Sequence, residues 1–242
     1  MIWMAALGLF VTVMSAGFVG LYAERIRHTI WPKLFLAFGG AYLLGISVLN
    51  LLPIIYQPPN HNIGLWLLGG FFLQIILEQF SKGIEHGHLH HSHGSRPAMV
   101  GSVLFGLSLH AFIEAIPISS SGVLNSTGFP FNYYLGIVFH EIPAAFALVS
   151  FFGMAHLTRA RSLSLLAIFA SMAPLGILGG HMWSIPETIQ KFLLAVVMGL
   201  FLHISTTIIF EAEGSAHHHR MSTYKIIAIV IGLGLVILTN HH

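Results

Sequence analysis

The chain alternates between long apolar stretches and short polar connections, and this pattern predicts eight membrane-spanning helices. A helix needs about 20 apolar residues to cross a hydrocarbon core of ~30 Å. Suitable stretches cover residues 2–21, 34–55, 63–80, 98–119, 131–154, 163–181, 189–210 and 224–240. Because the connections are short, we expect a single membrane-embedded domain over residues 1–242.

The basic residues are concentrated in alternate connections. Counted from the N-terminus, the odd connections carry nine of the ten lysines and arginines, and only Lys191 adjoins an even one. Cytoplasmic loops of membrane proteins are enriched in these residues. The odd connections are therefore predicted to be cytoplasmic, and both termini are predicted to be extracytoplasmic.

The composition agrees with a membrane protein and narrows its chemistry. Hydrophobic residues make up 55% of the chain and charged residues 7%, whereas a soluble domain is about 25% charged. The chain has no cysteine, which excludes disulfides and thiolate metal sites. All eight acidic residues are glutamates, so an aspartate ligand is excluded as well.

Two ionisable pairs, His110 with Glu114 and His140 with Glu141, lie deep within the fourth and fifth predicted spans. A charge near the bilayer centre costs roughly 2.5–3.5 kcal/mol, so such residues are expected to face a bundle interior or a wet cavity, with a partner. As the alternative, the four residues could simply hold helices together. Polar contacts between membrane helices contribute only ~0.6 kcal/mol on average, which favours a metal cation or a proton as the partner.

The spacing of the pairs predicts how they could bind a cation. His110 and Glu114 are four residues apart and share one helical face. His140 supplies a second imidazole at a similar depth from the next, antiparallel helix. Glu141 points roughly 100° away from His140, so it could reach the same ion, receive the ion, or bind water in a second position. Two histidines with one or two glutamates suit Zn²⁺, Fe²⁺, Mn²⁺ or Cd²⁺.

Prolines lie close to both pairs. Pro117 follows Glu114 by three residues and Pro143 follows Glu141 by two, while Pro53 and Pro174 lie in other predicted spans. Proline removes a backbone donor and tends to kink a helix. The sequence therefore predicts a site built between two bent helices.

Two predicted cytoplasmic connections are rich in histidine. The loop at 81–97 contains EHGHLHHSH at 85–93, and residues 217–219 are three further histidines. Closely spaced imidazoles bind Zn²⁺ and similar metals; the alternative is a polar, pH-responsive loop. Beside an intramembrane His/Glu site, a metal-related role is favoured.

These motifs resemble those of the ZIP (Zrt/Irt-like protein) divalent-metal transporters. HAFIEAIP at 110–117 resembles the HNxxEG-type motif of their fourth span, and FHEIPAAFAL at 139–148 resembles the HEIPHE motif of their fifth. Stretches of their second, third, sixth and seventh spans resemble LNLLP at 49–53, FFLQIILEQF at 71–80, APLGILGG at 173–180 and FLHISTTIIFE at 201–211. The likeness covers nearly the whole chain.

The resemblance implies roles for the two pairs. It implies that His110, Glu114 and His140 bind the transported ion at one position. Glu141 would match a ligand of an adjacent, second position.

Three oxygen ligands of the family pattern are missing from this chain. Their positions hold Ala111, Ala144 and Ala173. We therefore predict a site for a single ion. Asn50 and His203 could supply replacement ligands, although each is more simply interpreted as a satisfied polar residue within a helix.

The resemblance further implies a fold and a function. We expect an all-α, eight-helix membrane bundle with a 3+2+3 inverted-repeat architecture, which moves a divalent cation into the cytoplasm by alternating access. Zinc is the first expectation for the ion, and no catalytic cofactor or enzyme activity is expected. The ion and the lipid bilayer are the expected partners; no nucleic acid is expected, and a homodimer is left open. The compact length and the lack of a targeting signal favour a bacterial plasma membrane.

Two other functions are consistent with the residues. An intramembrane metallohydrolase could use a zinc-activated water, but the HExxH protease pattern would need a histidine where the chain has Ala144. A metal sensor would bind the ion without transporting it.

Overall fold

The computed structural model describes residues 2–23, 29–57, 62–84, 97–119, 130–183, 185–211 and 222–239, and over these residues it is all-helical. The helices are α1 (Ile2–Tyr22), α2 (Trp31–Ile46), α3 (Asn62–Ser81), α4 (Pro97–Ala115), α5 (Pro130–Met154), α6 (Arg159–Met182), α7 (Glu187–Glu211) and α8 (Thr223–Thr239). The prediction of an all-α, eight-helix bundle is confirmed.

Seven of the helices in the described part of the chain are long and apolar enough to cross a membrane. The exception is α8, which has 17 residues, about the shortest length that spans a bilayer. Large apolar side chains on the outer surface, such as Trp3, Leu65 and Phe72, are exposed. Such a surface suits lipid, and the chain is a multi-pass integral membrane protein.

The helices pack as two groups of four. In the first group, α1 packs against α5 and α6, and α6 packs against α4. In the second group, α3 packs against α7, and α2 packs against α7 and α8. Contacts of α2 with α5 and of α3 with α4 join the two groups. We call them the first and the second helix group.

Two of the four prolines predicted to bend helices lie where the regular α-helix is interrupted. Pro53 follows the π-helical turn Ser47–Leu51, through which α2 continues into a last turn at Leu52–Ile55. Pro117 lies in the 3₁₀ turn that ends α4. By contrast, α5 and α6 remain α-helical through Pro143 and Pro174. A proline therefore changes the type of helix here only near the end of a span.

Candidate metal centre

Two of the predicted ligands meet on α4. His110 and Glu114 are one helical turn apart and are both buried, with the Glu114 side chain fully enclosed. The His110 Nε2 atom lies 3.0 Å from Glu114 Oε2. The shared helical face predicted from the i, i+4 spacing is present, and it points into the bundle.

His140 reaches the same place from α5. It is buried, and its ring lies nearly perpendicular to that of His110, with the ring centroids 5.5 Å apart. One ligand atom each of His110, Glu114 and His140 lie within 4.8 Å of one another. The ligands of a tetrahedral zinc with bonds of about 2.0–2.1 Å stand about 3.3 Å apart. Small rotations of these side chains would therefore bring all three onto one ion.

Glu141 lies beside this group without completing it. Its side chain is buried and interacts electrostatically with Glu114. Among the described residues, neither carboxylate forms an ion pair with a lysine or an arginine. The site thus combines two imidazoles with two adjacent carboxylates, a donor set that suits a divalent cation.

Gln74 contacts this group although the sequence did not predict it as part of the site. This side chain of α3 is fully buried, and its Oε1 atom lies 3.1 Å from His110 Nδ1, on the side of the ring away from Glu114. Its signal in the sequence is that it is the lone polar residue in the apolar run FFLQIIL.

Tyr133 is a second residue near the site that the sequence did not predict. Its buried hydroxyl donates a hydrogen bond of 2.6 Å to the backbone carbonyl of Glu114. Pro117, three residues further on, has no N–H with which to bond that carbonyl in the 3₁₀ turn. Tyr133 therefore satisfies a carbonyl that the proline cannot, and it holds the end of α4 against α5.

Of the two residues considered as replacement ligands, His203 lies outside the group of His110, Glu114 and His140. The Nε2 atom of His203 lies 3.7 Å from Glu78 Oε2, and its ring packs edge-on against Phe71 at 5.0 Å. Both contacts belong to α3 and α7, which supports the simpler interpretation of His203 as a polar residue satisfied between helices. Asn50 lies in the π-helical turn of α2.

The three alanines that replace family ligands are all buried, and an alanine has no side-chain oxygen to offer an ion. They are Ala111, Ala144 and Ala173. The histidine-rich segments at 85–93 and 217–219 lie outside the described residues. The loop predicted at 81–97 is therefore described only at its two ends. This loop and the single membrane-embedded domain over residues 1–242 stay predictions.

A comparison with protein families decides the affiliation of the chain. The family model described as ZIP Zinc transporter matches residues 85–240. The chain belongs to the ZIP zinc transporter family. The matched region includes α4 and α5, and with them all four ionisable residues of the two pairs.

Several animal relatives are similar to this ZIP family chain. Zinc transporter ZIP9 of Micropogonias undulatus is 28% identical over 204 residues, which cover 74% of this chain and 64% of the relative. Zinc transporter ZIP9 of Xenopus tropicalis is 28% identical over 202 residues, 74% of this chain and 65% of the relative. Zinc transporter SLC39A7 of Sus scrofa is 28% identical over 113 residues, 37% of this chain and 24% of the relative. The aligned part thus spans less than two thirds of the length of each relative.

Proposed function

We propose that this ZIP family chain transports a divalent cation across the membrane, with Zn²⁺ as the first candidate. The observation that carries the proposal is the buried approach of His110, Glu114 and His140 within 4.8 Å. Zinc is supported by family membership and by the relatives, which are named as zinc transporters. Fe²⁺, Mn²⁺ and Cd²⁺ suit the same nitrogen and oxygen donors.

The proposed transport step replaces the hydration shell of the ion with protein ligands. An ion that reaches the middle of the membrane would lose water and gain two imidazoles and the Glu114 carboxylate. The nearby Glu141 carboxylate would bring the negative charge to two, which matches a divalent cation. Reopening of the bundle on the other side would let water compete for the ion again and release it.

The proposal also covers the direction of transport and the role of the histidine-rich segment at 85–93. We propose entry into the cytoplasm by alternating access of two inverted repeats, because the chain resembles ZIP transporters. The histidines of 85–93 would accept the released ion or sense its level.

The relatives are animal proteins and lend no support to a bacterial plasma membrane, which stays a prediction. The absence of a nucleic-acid partner likewise stays a prediction, and a homodimer stays open.

Metal uptake into proteoliposomes tests the proposed site. We expect His110→Ala, Glu114→Ala and His140→Ala each to lower zinc uptake strongly. Loss of a residue that only supports a metal ligand costs ~10–100-fold, and loss of a ligand itself should cost more. His181→Ala is the matched control, because this histidine is exposed at the end of α6. Each variant should elute as a folded protein.

The outcome separates the proposal from its competitors. Equal uptake by all variants and the wild type would refute the site. A sensor would bind zinc in this assay but carry no flux. Peptide or lipid hydrolysis without flux would indicate a metallohydrolase, which family membership already makes the weaker candidate.

A further inference from the structure

A buried glutamine lies directly behind the proposed ligand His110. Gln74 is fully enclosed in an apolar stretch of α3, and its Oε1 atom faces Nδ1 of His110 at 3.1 Å. A polar group buried in an apolar environment is unfavourable unless it is hydrogen-bonded. The contact with His110 satisfies the amide oxygen of this glutamine.

This contact selects one tautomer of His110. A neutral imidazole has one N–H donor and one acceptor nitrogen, and an amide oxygen can only accept. With Gln74 Oε1 as the acceptor, the proton lies on Nδ1 and the lone pair on Nε2. That lone pair faces Glu114 Oε2 at 3.0 Å. Because both atoms are then acceptors, the arrangement is favourable only with a proton or a metal cation between them.

The backbone of α4 allows α3 to come close enough for this contact. A Cβ atom added at Gly106 would lie 2.9 Å from the carbonyl oxygen of Leu77, so only glycine fits at this crossing. The Ser102 hydroxyl also donates a 3.0 Å hydrogen bond to the carbonyl of Phe80. These contacts lie on the same helix pair as Gln74 and His110, and they hold the two side chains at bonding distance.

We propose that Gln74 is a positioning residue that fixes the tautomer and the ring orientation of His110. It would act on the ion through His110 alone. This inference rests on the proposed function, in which His110 Nε2 binds the cation. Histidine ligands commonly donate their other N–H to a protein oxygen, which orients the ring and raises its basicity. Here the oxygen comes from the second helix group, whereas the proposed ligands belong to the first.

Nitrogen-15 NMR of metal-free protein with labelled histidine tests the tautomer without any transport. The His110 signals are assigned by their loss in His110→Ala, at about pH 8.5, where an ordinary imidazole is neutral. We expect protonated Nδ1 and unprotonated Nε2 in the wild type, and a mixture of tautomers in Gln74→Leu. A wild-type proton on Nε2, or an unchanged tautomer in Gln74→Leu, would overturn the inference.

Zinc uptake then tests the consequence. We expect Gln74→Leu to raise the KM for zinc about 10–100-fold, while Gln74→Glu, which keeps an acceptor oxygen, stays within a few-fold of the wild type. Gln79→Leu is the matched control, since this glutamine of the same helix is exposed. A purely structural role would lower the amount of folded protein and the maximal rate, but it would leave KM unchanged.

The two measurements keep this inference distinct from the function on which it rests. If the wild type carries no zinc, or carries it without need of His110, the proposed function fails while the NMR result still stands. If uptake depends on His110 but KM is unchanged in Gln74→Leu, the positioning role alone is wrong.

Discussion

Glu114 and Glu141 lie in similar surroundings but differ in their position relative to the two imidazoles. Both are buried, and each interacts with the other. Only Glu114 presents an oxygen to His110 and His140 within the three-ligand group. Two carboxylates this close in an apolar bundle repel each other when charged, and a divalent cation between them offsets that repulsion. We therefore propose Glu114 as a ligand and Glu141 as a neighbouring charge.

Replacement of each glutamate by glutamine tests this assignment, because the change removes charge and nearly preserves shape. Glu114→Gln should abolish zinc uptake, since an amide oxygen is a weak substitute for a carboxylate ligand. Glu141→Gln should retain at least about ten times more uptake than Glu114→Gln, because all three ligands remain. Initial rates at several zinc concentrations would measure the difference. Equal loss in both variants would make Glu141 a direct ligand of the same ion.

At the scale of elements, α3 and α7 cross with almost no side chain between them. A Cβ atom added at Gly70 would collide with the carbonyl oxygen of Val196, and one added at Gly199 would collide with that of Leu67. Small residues let membrane helices approach closely, where packing rather than the hydrophobic effect holds them. Because α3 also carries Gln74, this close crossing helps to fix the position of α3 behind the site.

A pair of adjacent glycines makes the crossing testable. Gly70→Ala should destabilise the protein by about 1–3 kcal/mol, as expected for overpacking. Gly69→Ala should be neutral or stabilising by up to about 1 kcal/mol, since alanine favours the helix and nothing lies within 4 Å of the added atom. Thermal unfolding in detergent would compare the two variants. The same change in Tm for both would show that the close crossing does not limit stability.

For the whole molecule, the site lies where the two helix groups meet. The proposed ligands come from α4 and α5 of the first group, and Gln74 comes from α3 of the second. A second polar contact, from the Tyr42 hydroxyl to the carbonyl of Asn132 at 3.3 Å, joins α2 to α5. A relative movement of the two helix groups would therefore change the contact between Gln74 and His110.

The orientation of the whole molecule in the membrane can be tested on one helix. The distribution of lysine and arginine predicts that α6 begins on the cytoplasmic side. The chain has no cysteine, so a single cysteine at exposed Ala160 or Met182 marks one end of α6. In intact cells, an impermeant thiol reagent should label Met182→Cys, and it should label Ala160→Cys only after permeabilisation. Unmodified protein supplies the blank, and the opposite pattern would reverse the predicted orientation.

The sequence by itself determined the features that depend on neighbours along the chain. Span number follows from the length and polarity of each segment, because each helix must satisfy its own backbone in lipid. The pairing of His110 with Glu114 follows from the helical repeat alone. The meeting of His140 with that pair was also predictable, since a short connection makes consecutive helices antiparallel.

Only the tertiary structure decided which side chains of distant segments meet. Gln74 reaches His110 across 36 positions, and this contact depends on the close approach at Gly106, which no local periodicity encodes. In the same way, packing between α3 and α7 places His203 against Glu78 and outside the three-ligand group. Helix propensity and hydropathy describe a segment in isolation, whereas the surroundings of a ligand depend on the shapes of several helices at once.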